Sequence, residues 1–112
     1  MELLVVPLFK TIDWSGIPEE PHQGESGCAY WRVRIFDGMR VRLVRYSENY
    51  RADHWCKRGH VLYVLSGQLN TELENGESVV LNAGTGYIVG DGGPAHRSST
   101  TEETTLFIVD SE

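Results

Sequence analysis

Basic residues are in short supply: lysine and arginine together number 10, against 16 aspartate and glutamate, for a formal net charge of −6. Nucleic acids and anionic membrane surfaces are held by clustered cations, so this balance counts against both as partners. Long apolar runs are also lacking. The run near the N-terminus, residues 3–9, falls well short of the ~20 residues that span a bilayer. It has Glu2 before it instead of a basic stretch, and no small-residue cleavage site after it. It does not read as a secretory signal, and a cytoplasmic location is expected. Two cysteines, Cys28 and Cys56, are too few for a disulfide framework. In a reducing compartment both are expected as free thiols, available to metal or redox chemistry. No segment sustains helical periodicity for three turns, which argues against a helical bundle. A chain of 112 residues has room for one core, hence one domain.

What the sequence does have is 12 glycines set between short β-branched and aromatic runs. Residues 13–27 carry Gly16, Pro18, Pro21, Gly24 and Gly27 and read as an irregular connection. Residues 1–28 are therefore expected as an N-terminal arm and connection, and 29–112 as the β-domain. In residues 30–46, Val33 and Ile35 alternate with Arg32 and Arg34, and Val41 and Leu43 with Arg40 and Arg42, around Asp37-Gly38. A three-residue turn there pairs Phe36 with Arg40 and gathers all four arginines on one face. The hydrophobic pattern favours that register. Further strands are expected at 60–66, 69–74, 78–81, 86–89 and 104–109, with turns at Ser66-Gly67, Asn75-Gly76, Ala83-Gly84 and 91–94. Many short strands at this spacing predict an antiparallel sandwich or a closed or nearly closed barrel.

The chemistry-bearing residues cluster. His54 and Cys56 are two apart, so on an extended strand they share a face with Cα atoms about 6.5–7 Å apart. His60 follows Gly59 where an apolar strand begins, and shares a face with Leu62 and Val64. His96 follows Gly92-Gly93-Pro94 at the start of another strand. Imidazole and thiolate are good ligands for zinc, iron, nickel or copper. Taken singly, a histidine is commonly a surface or satisfied core residue and a cysteine a small buried hydrophobe. Three of the four histidines together with a cysteine at this spacing point to a metal site made of His54, Cys56, His60 and His96.

Two stretches resemble cupin motifs. Tyr63-Val64-Leu65-Ser66-Gly67-Gln68-Leu69 resembles the end of the first motif. Counting back from Gly67, His60 stands at its usual glutamate position, and His54 and Cys56 at its H-x-H positions. Gly84 through Gly92-Gly93-Pro94-Ala95-His96 resembles the second motif, with Gly90 in place of proline and Thr100 in place of asparagine. The resemblance spans residues 40–109. Ala52-Asp53-His54-Trp55-Cys56 is also similar to the small cupins labelled by a DHCW motif, in the order D-H-W-C. This resemblance implies a cupin-type antiparallel β-barrel (a double-stranded β-helix, or jelly roll) and one divalent transition metal ion. With His60 for a carboxylate and Cys56 for a histidine, the softer donor set shifts the expected metal from manganese towards zinc, iron, nickel or copper.

Other residues have lesser expectations. Tyr63, Tyr87 and Arg97 are weak candidates for substrate binding, and Asp53 could orient a ligand. Arg32, Arg34, Arg40, Arg42 and Arg45 form either an anion-binding wall or a solvated face. Trp14, Tyr30 and Trp31 read as packing, and His22 as exposed and unrelated to metal. Edge strands and the apolar 3–9 segment make a homodimer plausible. The expected function is a metal-dependent enzyme acting on a small molecule; the alternative is a non-catalytic, metal-stabilised ligand-binding or redox-sensing module.

Overall fold

The computed structural model describes residues 9–111. The apolar 3–9 segment, apart from Phe9, lies outside the described residues. A 3-10 turn at Trp14–Gly16 precedes strands β1 (Glu20–Gln23), β2 (Cys28–Phe36), β3 (Met39–Tyr46), β4 (His60–Ser66), β5 (Gln68–Leu73), β6 (Ser78–Asn82), β7 (Gly86–Val89), β8 (His96–Ser99) and β9 (Thr104–Ser111). Hydrogen bonding divides them into a six-stranded sheet, β1-β2-β3-β9-β4-β7, and a three-stranded sheet, β6-β5-β8. All strand pairs are antiparallel. No helix among the described residues is long and apolar enough to cross a membrane.

The core follows from side-chain alternation. Along β4, His60, Leu62 and Val64 are buried, while Val61, Tyr63 and Leu65 face out. Val44, Leu106 and Ile108 from β3 and β9 join Leu62 and Val64 in the core, and Leu69 enters it from the smaller sheet. Val44, Val64, Leu69 and Leu106 are wholly inaccessible. Burying each such side chain contributes about 1.5–3 kcal/mol, and together they hold the two sheets in one body.

The β2–β3 turn differs from expectation. Phe36 pairs with Met39 and Ile35 with Arg40, so the turn has two residues, not three. Asp37 and Gly38 take φ of 48° and 83°, both left-handed. That is the backbone a two-residue turn needs to match strand twist, and Asp-Gly supplies it. Arg40 and Arg42 consequently share the face of Val44, while Arg32, Arg34 and Arg45 lie on the other. The four arginines do not share one face.

The hydrophobic pattern misleads because part of the outer face of this sheet is covered as well. Val41 is buried on the outer face. On that face Trp14 packs edge-on against Phe107 at 6.1 Å, and Arg32 donates to the carbonyl oxygens of Trp14 and Ile17. Inside, Arg40 and Arg42 meet the Asp110 carboxylate of β9.

A second difference lies in the stretch expected to be irregular, which contains β1. Pro21 sits in that strand, and the strand is an edge, where a missing N–H breaks no ladder. His22 of β1 stacks on Trp31 at 3.8 Å between ring centroids.

Candidate metal centre

Three elements bring the candidate ligands together. Gly59 sets up the first. A Cβ on it would lie 2.7 Å from the Asp91 backbone nitrogen and 2.8 Å from the Val89 carbonyl oxygen. Only glycine lets the chain pass there, and its N–H donates to Asp91 Oδ1 at 2.7 Å. His60 follows as the first residue of β4 and turns inward, 8% exposed. His96, the first residue of β8, is 3% exposed. Cys56 and His96 exchange backbone hydrogen bonds of 2.7 and 2.9 Å, which sets the thiol beside the imidazole.

The candidate donor atoms of Cys56, His60 and His96 all lie within 4.8 Å of one another. His60 Nε2 and His96 Nε2 are 3.1 Å apart. Two nitrogens bound at ~2.05 Å to one tetrahedral ion would be roughly 3.3 Å apart, so the pair is spaced for a shared metal. His96 Nδ1 lies 3.2 Å from the Pro94 carbonyl oxygen, which only accepts, so Nδ1 donates and Nε2 offers its lone pair. His60 Nδ1 is buried without a hydrogen-bond partner, 4.0 Å from Asp110 Oδ2. An ion on Nε2 would leave the Nδ1–H facing a carboxylate, the usual outer partner of a metal-bound histidine. The residues present fit a metal ion.

The electrostatics agree with this arrangement. Burial, reinforced by the neighbouring His96 and Arg42 charges, pushes the His60 imidazole down to about 4, so it is neutral at physiological pH. A hydrogen bond with His96 holds the Cys56 thiol below its ordinary value, and the same bond raises His96. The Cys56 and His60 shifts favour the thiolate and neutral imidazole that bind metal, while His96 would give up its proton to the ion.

His54 stands outside this cluster. Residues 53 and 54 form a bend, not part of a strand, so the two-residue spacing to Cys56 does not impose a shared face. The His54 side chain is 76% exposed, and its Nδ1 pairs with Asp53 Oδ1 at 2.7 Å.

A cavity of about 290 Å³ opens over the cluster, and both His54 and Arg97 line it. The Arg97 guanidinium stacks over Trp55 at 4.7 Å. Tyr87 also lines the cavity, with its hydroxyl 2.9 Å from His60 Nε2. Burial raises the Tyr87 phenol well above its ordinary value, so it keeps its proton. Tyr63 faces away, half exposed on the outer side of β4.

The cavity's other wall is made in part by Trp31, expected as packing, and by Arg40 and Arg42, which the sequence left between an anion-binding wall and a solvated face. The signal was present in Asp37-Gly38: the two-residue turn it favours sends Arg40 and Arg42 inward, opposite Asp110.

Two antiparallel sheets with a histidine–cysteine cluster opening into the space between them define a class of small β-proteins with a candidate metal site. Solved structures narrow the class. A predicted oxalate decarboxylase from Thermotoga maritima superposes with a TM-score of 0.77 at 16% identity, over 91% of this chain and 98% of that one. Ectoine synthase from P. lautus gives 0.75 at 14% identity, over 92% and 78%. A cupin-2 domain containing protein from Shewanella frigidimarina gives 0.61 at 21% identity, over 81% and 84%. No protein-family model matches the sequence, and neither does any curated protein. The protein has the cupin fold, in its small form.

Proposed function

We propose that this protein is a metal-dependent enzyme acting on a small molecule held in the cavity, with Cys56, His60 and His96 as the metal ligands. The observation that supports this most is the three-donor cluster opening into the cavity. Three protein donors leave a coordination position open, the pattern of catalytic rather than structural sites. A bound divalent ion (zinc, iron or nickel) would supply Lewis acidity for a carbonyl or a water. The chain's own groups do the rest. Tyr87 keeps its proton and lines the cavity, and with His60 Nε2 given over to the metal its hydroxyl would be free to give that proton to a developing oxyanion. Arg97, over Trp55 and paired with Glu72 on the β8 face opposite His96, borders the rim. His54 could serve as a fourth ligand only if the 53–54 bend moved inward; as placed it is a rim contact.

Metal analysis by plasma mass spectrometry on tag-free protein tests the proposal. One equivalent of metal is expected, falling at least tenfold in the double variant His60→Ala/His96→Ala. No metal after reconstitution would overturn it.

A redox-sensing module is the second reading, supported by the lowered Cys56 thiol beside His96. It requires oxidation of Cys56 by peroxide to release the metal. Metal-dependent turnover that survives peroxide would exclude it.

A further inference from the structure

The chain is acidic overall, with 16 carboxylate residues against 10 basic ones, yet the cavity has the opposite character. Arg40, Arg42, Arg58 and Arg97 line it, and among the described residues no aspartate or glutamate does. Asp110 lies behind the wall, 2.8 Å from Arg40 and 3.0 Å from Arg42, so one carboxylate serves two guanidinium groups. Arg42 is 6% exposed, and its Nε–H is buried with no acceptor. A buried donor without an acceptor is costly, and that cost is relieved when an acceptor arrives.

The geometry also selects the kind of anion. The Arg42 guanidinium carbon lies over the Trp31 ring, 4.4 Å from its centroid, and that of Arg40 lies 5.5 Å from the same ring. A guanidinium stacked on an aromatic face keeps its N–H donors in plane and directed sideways, where a planar acceptor can meet two of them. The cavity's volume of about 290 Å³ corresponds to roughly ten water molecules at ~30 Å³ each, so only a small ligand fits beside the cluster. A metal ion on Cys56, His60 and His96 would make the cavity still more positive.

We infer that the cavity binds a small carboxylic acid anion, whose carboxylate is held by the Arg40 and Arg42 side of the wall while the rest of the molecule faces the histidine–cysteine cluster. This rests on the enzyme reading above and names its substrate class.

Calorimetric titration of the full chain tests it, using malonate, its neutral isostere malonamide and inorganic phosphate. Each is run on protein as purified and after chelator treatment, with metal quantified and folding checked by circular dichroism in every sample. Malonate is expected to bind at least tenfold more tightly than malonamide and more tightly than phosphate, with or without metal. Arg42→Gln and Arg40→Gln are each expected to weaken malonate at least fivefold. The second variant guards against misfolding of the first, because the Arg40 side chain is 19% exposed against 7% for Arg42. Equal binding of malonate and malonamide, or wild-type malonate affinity in both folded variants, would overturn the inference. Tighter binding of phosphate would overturn the choice of carboxylate. One equivalent of metal with no preference for malonate refutes this inference and leaves the metal site standing. Failure to take up metal refutes the enzyme reading, and the malonate titration of the metal-free protein still decides the anion site.

Discussion

Replacing Asp110 by asparagine should be among the most damaging conservative changes in this protein. Asp110 is 1% exposed and accepts from Arg40 through both carboxylate oxygens, and from Arg42 at 3.0 Å. Asparagine keeps the shape and one acceptor but removes the charge, leaving a nearly buried Arg42 beside Arg40. Removing one partner of a buried ion pair costs about 3–5 kcal/mol, because the other charge stays buried and uncompensated. Domains of this size have ~5–15 kcal/mol to lose. With a urea dependence of roughly 1.5 kcal/mol per molar, the midpoint should fall by about 2–3 M.

The control is Glu19→Gln. The Glu19–Arg45 pair has similar hydrogen bonds, but its side chains are 28% and 35% exposed. Exposed pairs contribute about 0–1 kcal/mol, so this midpoint should barely move. If the two variants lose equal stability, or Asp110→Asn loses less than ~1 kcal/mol, the burial argument is wrong. Acid titration gives a second check. Burial alone would raise the Asp110 carboxyl, but hydrogen bonding from Arg40 and the charges of Arg42 and Arg40 hold it below the ordinary range. The folded state thus binds this proton less readily than the unfolded chain, whose aspartates titrate near ~3.9. The stabilisation is complete above that value and disappears as pH falls through the lower folded-state value. Asp110→Asn should flatten this acid limb.

Gly59→Ala should destabilise the fold by about 1–3 kcal/mol, because the new methyl meets backbone atoms of residues 89–91 that cannot swing aside. Metal affinity should fall with it, since His60 is the next residue; an unchanged melting temperature would contradict the close approach. Tyr87→Phe should cost only about 1 kcal/mol of stability by loss of one hydrogen bond. If Tyr87 is the proton donor, the same change should lower turnover of a carboxylate substrate about 10²–10⁴-fold at undiminished metal content; full activity in Tyr87→Phe would remove it from the chemistry.

The inward face of β4 was legible in the sequence because Leu62 and Val64 continue the parity of His60, and the structure buries all three. His96 was legible for a related reason: the Gly-Gly-Pro turn ends where β8 begins. The β2–β3 hairpin was not, because hydrophobic alternation identifies the core face only when the other face meets solvent. Here Val41 and Phe107 lie on a face covered by residues 13–17, so an apolar residue could belong to either side. His54 illustrates the same limit at the site. Spacing dictates a shared face only along a regular strand, and the 53–54 bend frees His54 from the direction of Cys56.

The arginines that broke the alternation also connect the metal centre to the rest of the cavity. Arg40 and Arg42 bring two positive charges to the wall, against Asp110 and a Cys56 thiol held below its ordinary value. A divalent ion on Cys56, His60 and His96 would add to the positive charge, and no acidic residue among the described ones lines the cavity to offset it. The missing negative charge must come from outside the chain, as hydroxide or as a bound anion. Metal uptake and carboxylate binding should therefore reinforce each other. Malonate should bind more tightly to the metal-loaded protein than to the metal-free one, and by reciprocity should tighten the metal by the same factor. Independent binding of the two would mean that the charges at the wall and at the metal do not sense each other across this small cavity.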